Sequence, residues 1–157
     1  LGIDTRDSYE IQSIVKDILT KNPAKTGIKA RSSVSGDKLT VNATVKASSA
    51  GTYDLGFAVI KDDCIPSDPR NATESEYDNA VLGITGNYYA MSTDGTFSLE
   101  ANGEKEAEFT WTSPIVSTED IEDCSIVLFT LTKAGNKTII DNIAEFKIGE
   151  SVDYRYN

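Results

Sequence analysis

The chain has 157 residues, 39% of them apolar and 25% charged. That is an ordinary composition for a globular domain with a real core, well away from the disordered range. Its formal net charge of −10 repels phosphate backbones and anionic headgroups, which argues against nucleic-acid binding and favours solubility. Histidine is absent, which removes the commonest general base, the commonest zinc ligand and every Ser–His or Cys–His nucleophile.

The first 25 residues differ from the rest. Asp7 or Ser8 can cap a helix, and Ile11, Ile14, Val15, Ile18 and Leu19 then recur at the spacing of one helical face. Asn22-Pro23 ends it, because the residue before proline is pushed out of the α region. The spacing predicts one short α-helix over 8–21. A helix of this length cannot bury its stripe alone, so the stripe must dock on the following domain or on a domain upstream.

From Thr26 the period becomes two. Ile28, Ala30 and Ser32 alternate with polar neighbours, as do Leu39, Val41, Ala43 and Val45, and Ser35-Gly36-Asp37 between them has hairpin-turn chemistry. Tyr53, Leu55, Phe57 and Val59 share a face of a third strand. A polar loop over 62–76 follows, long for a compact domain. Further strands are predicted over 80–84, 96–99, 107–111, 125–131 and 138–148, with the nearly continuous apolar run 126–131 central. Six to eight short strands punctuated by glycine predict an antiparallel β-sandwich over 26–157, preceded by the helical segment 1–25. The expected core contains Leu39, Val41, Val45, Leu55, Phe57, Val59, Phe109, Trp111, Val127, Phe129 and Leu131.

Chemistry-bearing residues are few. Asp62, Asp63 and Asp68 lie in one loop and Glu119, Asp120, Glu122 and Asp123 in another, but no DxDxDG loop is present to organise calcium. The two cysteines form no CxxC pair, no glycine loop suits a phosphate, and no apolar run is long enough to span a membrane. No catalytic residue, metal ligand or cofactor is therefore expected. Tyr88, Tyr89, Trp111, Tyr154 and Tyr156 are aromatic candidates for stacking on a sugar ring. Trp111 fits the core better, whereas adjacent strand residues face opposite sides, so one of Tyr88 and Tyr89 points outward as a possible ligand contact.

The pattern Tyr53-Asp54-Leu55, Val59, Asp62, Tyr77-Asp78-Asn79-Ala80-Val81-Leu82, Phe109-Thr110-Trp111 and Ile126-Val127-Leu128-Phe129 resembles the Bacteroidetes "outer membrane protein twenty-eight" related lipoproteins. The resemblance covers about 26–148. It implies an immunoglobulin-like sandwich following a thioredoxin-like domain, with 8–21 as the last helix of that domain. Asp78 and Gly83 stand where the family commonly has histidine and arginine. The implied function is a non-catalytic binding or adhesion module of the cell envelope, outer-membrane-associated or extracellular. Its expected partners are the upstream domain of its own polypeptide and a protein or glycan at the cell surface. The alternatives are the accessory half of a thioredoxin-like thiol protein or a structural spacer. In such a sandwich Cys64 closes the third strand and Cys124 opens its antiparallel neighbour, so an exported chain is expected to join them as a disulfide.

Overall fold

A computed structural model describes residues 16, 20–21, 23–65, 76–85, 95–117 and 119–156. Among the described residues nine strands follow in order: β1 Thr26–Ser35, β2 Lys38–Ala47, β3 Gly51–Lys61, β4 Ala80–Thr85, β5 Phe97–Leu99, β6 Glu104–Thr112, β7 Cys124–Ala134, β8 Lys137–Lys147 and β9 Ser151–Val152. They form two antiparallel sheets, one ordered β6-β2-β1-β9 and the other β4-β3-β7-β8, with β5 also on β3. Of the helical segment expected over 8–21, only Lys16, Thr20 and Lys21 are described. Each is helical, and the remainder lies outside the described residues.

The hairpin signals translate directly. Gly36 and Gly135 have φ of 61° and 64°. Each leads a two-residue turn, between Ser35 and its partner Lys38 and between Ala134 and its partner Lys137. A glycine with positive φ in the first central position suits the turn whose twist matches the flanking strands.

The two sheets share one core. Leu39, Val41, Phe57, Val59, Ile126 and Leu128 are fully buried within it, and the Phe57 and Phe109 rings stack across it with centroids 5.3 Å apart. Trp111 leans over Gly83, where an added Cβ would lie 2.6 Å from the indole nitrogen. The expected core holds on β2, β3 and β6; on β7 Phe129 and Leu131 are buried as expected and Val127 is half-buried, but none of the three belongs to the central cluster. The inward residues of β7 are Ile126 and Leu128, whereas Phe129 pairs with Gly56 on the opposite face, with Val127 and Leu131 in phase with it. The run 126–131 is apolar on both faces, so alternation carries no phase there.

The expected disulfide is not formed, and Cys64 and Cys124 are both free thiols. β3 and β7 do pair, but the register partner of Cys124 is Lys61. Cys64 lies beyond the end of β3, after Asp63 at φ 53°, in an isolated bridge to Tyr77. Its Sγ is directed to the Lys61 carbonyl at 3.8 Å, and the Cys124 thiol to the Asp120 carbonyl at 3.5 Å.

Candidate functional site

The outward face of the four-stranded sheet carries an ordered polar ladder. Because alternate residues share a face, the inward Ile28, Ala30, Val41, Ala43 and Val45 force Lys29, Arg31, Asn42, Thr44 and Lys46 outward. Register then aligns three strands. Lys29 pairs with Thr44, which pairs with Glu106, and Arg31 pairs with Asn42, which pairs with Glu108. Cations thus line β1, neutral amide and hydroxyl groups line β2, and carboxylates line β6. A depression of about 560 Å³ opens over this ladder, closed on its far side by Ser151 and Asp153.

The C-terminal residues supply an aromatic rim. The Tyr154 ring centroid lies 6.0 Å from Lys29 Nζ and 5.9 Å from Lys46 Nζ, within cation–π range. Lys46 also pairs with Glu104 at 3.1 Å. That hydrogen bond raises the pKa of the ammonium, while burial raises that of the Tyr154 phenol. Both tyrosines rest on Gly27, where a Cβ would meet Tyr156 Cζ at 2.9 Å and Tyr154 Cδ1 at 3.3 Å. The tail is held by buried Asn142 of β8, whose Nδ2 donates to the Thr26 and Arg155 carbonyls, each at 2.7 Å.

The other candidates separate from this surface. Tyr88 and Tyr89 lie outside the described residues. Two acidic loops do meet, since the Asp62 amide donates to the Asp123 carbonyl at 3.2 Å. A lysine already faces the carboxylates of the second loop: Lys61 Nζ is 3.9 Å from Asp120 Oδ1 and 3.7 Å from Asp123 Oδ2. Among the described residues no group of three or more His, Cys, Asp or Glu converges to hold a metal, and no helix is long and apolar enough to cross a membrane. Lys29, Arg31, Asn42, Thr44 and Asn142 escaped the sequence reading. The alternation marks the first four as outward, but only cross-strand register gathers them, and Asn142 acts through a chain segment distant in sequence.

No protein-family model matches the chain, and no curated protein matches it. Among solved structures, HBP35 of Porphyromonas gingivalis is similar over 88% of this chain and 46% of its own, with a TM-score of 0.64 and 17% identity. Two β-glucosidases align more loosely. That of Kluyveromyces marxianus, in complex with glucose, covers 85% of this chain and 15% of its own at TM-score 0.41 and 13% identity. That of Bifidobacterium adolescentis covers 80% and 17% at TM-score 0.36 and 14% identity. Those TM-scores do not define a shared fold. The chain therefore spans under half the length of HBP35, a Bacteroidetes protein, and is similar to that portion in fold: a two-sheet antiparallel β-sandwich.

Proposed function

We propose that the chain is a non-catalytic binding module of a Bacteroidetes cell envelope. In this reading it is an immunoglobulin-like sandwich that takes a polyhydroxylated ligand, a glycan, on its four-stranded face. The observation that carries the reading is the Lys29–Thr44–Glu106 row beside Tyr154. Sugar hydroxyls both donate and accept, so they suit a surface offering ammonium, hydroxyl and carboxylate groups within one depression. An aromatic ring at its edge suits the apolar face of a pyranose. The envelope address is supported by the sequence resemblance and by the Bacteroidetes origin of HBP35.

The test is a glycan-array screen followed by calorimetry with the best binder. Tyr154→Ala should weaken binding about three- to tenfold, matching roughly 0.5–1.5 kcal/mol for an aromatic contact, and Lys29→Ala with Asn42→Ala should abolish it. A binder whose affinity is indifferent to all three substitutions would place the ligand elsewhere. The absence of any binder would remove the glycan reading.

A further inference from the structure

The outward face of the four-stranded sheet is not electrically even. Its row on β1 carries Lys29 and Arg31, its row on β2 Thr44 and Asn42, and its row on β6 Glu106 and Glu108. Adjacent strands lie about 4.8 Å apart, so about 10 Å and a neutral row separate the cations from the carboxylates. Side chains of this length reach across such a gap, but these do not. Lys29 Nζ stands instead 6.0 Å from the Tyr154 ring centroid. Among the described residues neither Lys29 nor Arg31 makes an ion pair. Two neighbouring carboxylates are engaged elsewhere. Glu104 pairs with Lys46 at 3.1 Å, and Asp153 Oδ1 accepts from the Tyr154 amide at 2.9 Å. The chain has 25 acidic residues against 15 basic ones, yet none of the described acids is set against this pair of cations.

We propose that the ligand of this face is an acidic sugar, its carboxylate seated between Lys29 and Arg31 and its hydroxyls directed to Asn42, Thr44 and the β6 carboxylates. The assignment rests on the glycan reading of this face and adds the ligand's charge class and direction. The first support is spacing. Residues two apart on a strand share a face and lie about 7 Å apart. Charge-assisted bonds of about 2.8 Å on either side of a carboxylate span that interval. The planar arginine fork matches a carboxylate with two parallel bonds, and the lysine ammonium adapts as a point charge. The second is polarity. Glu106 and Glu108 repel an acid but accept from hydroxyls, so the acid end lies over β1 and the hydroxyl end over β6. The third is the aromatic rim. Tyr154 stands beside Lys29, so the sugar ring that carries the acid is the ring that meets the aromatic face. The net charge of −10 repels an anion at long range. Beyond about 8 Å that repulsion is screened at physiological salt, whereas the two cations act at contact.

The test is an array of galacturonate, glucuronate and sialic-acid-terminated oligosaccharides, each beside its carboxyl-reduced and its sulfated counterpart. Calorimetry on the full chain then measures the strongest set. The acid is expected to bind about tenfold tighter than its carboxyl-reduced form, the scale of one added bond to a charged group. Arg31→Gln and Lys29→Gln should each cut that ratio several-fold, and Arg31→Glu should invert it. Both side chains are exposed, so unchanged melting temperatures are expected and confirm that the variants are folded. Equal affinity for acid and reduced forms, or an acid preference that both glutamine variants keep, overturns the acid seat and leaves the glycan reading standing. Tighter binding of the sulfated form overturns the carboxylate assignment in favour of a tetrahedral anion. No binding to any acidic, reduced or sulfated sugar overturns the acid seat and the glycan reading together.

Discussion

The Thr26 hydroxyl and the Asp141 carboxylate lie 2.7 Å apart and join the two sheets. Thr26 is fully buried on β1, and its oxygen also lies 2.6 Å from the Thr130 hydroxyl of β7. A hydroxyl has one proton, so Thr26 donates to Asp141 and accepts from Thr130. Asp141 is the extra residue where the β7–β8 register shifts, since Asn142 and Ile140 pair with consecutive residues of β7. The irregularity frees its carboxylate to take the amides of Lys25 and Thr26, where the chain enters β1. Asp141→Ala strips the acceptor from these donors and should cost about 2–3 kcal/mol in urea unfolding, in line with hydrogen bonds to a charged group. Asp141→Asn keeps an acceptor oxygen and should cost less.

Asn142 connects this seam to the C-terminal tail. Asn142→Ala leaves the Thr26 and Arg155 carbonyls without its amide and should destabilise the fold by about 1–3 kcal/mol. It should also free the tail, so Tyr154 and Tyr156 fluorescence should become more accessible to a soluble quencher. A destabilised variant whose tyrosines are quenched no faster than before would show that the tail is held without Asn142.

Gly56 is required by Phe129. A Cβ at Gly56 would lie 2.2 Å from Phe129 Cζ, and Phe129 is buried, so its ring must swing out of its place over the strand. Gly56→Ala should lower stability by about 1–3 kcal/mol through overpacking. In a Phe129→Ala background the same change should cost much less, and a double-mutant cycle measures the coupling. Additive costs would disprove the steric account.

The two thiols should differ in reactivity. Burial pushes the Cys124 thiol up, and Cys124 is fully buried while Cys64 is partly exposed. Both should alkylate without reductant, Cys64 in the native state and Cys124 only after unfolding. The same shift gives a pH dependence. Above the ordinary thiol value of about 8.5 the unfolded chain has lost this proton while the folded chain still holds it. The folded state then binds more protons, so stability falls as pH rises from there to the raised folded value. Cys124→Ala should flatten that alkaline decline in a pH series of urea titrations.

Local pattern determined much of this molecule. The alternation of Leu39, Val41, Ala43 and Val45 against Thr40, Asn42 and Thr44 specifies both a strand and its buried face, because a single polar residue between apolar ones sets the phase. Glycine in a hairpin position specifies the turn in the same local way. Where local signal lacks phase, tertiary structure decided. On β7 both faces are apolar, and only packing against Phe57 on one side and Gly56 on the other sets Ile126 and Leu128 inward and Phe129 outward. Cys124 opens β7, and Cys64 lies beyond the end of its neighbour β3. Register alone decides that Cys124 meets Lys61 and that Cys64 turns away. Spacing along a chain does not carry register across strands, because a slip of one residue leaves every local propensity satisfied while exchanging the two faces of the sheet. For the same reason the ladder of Lys29, Thr44 and Glu106 exists only once β1, β2 and β6 lie side by side.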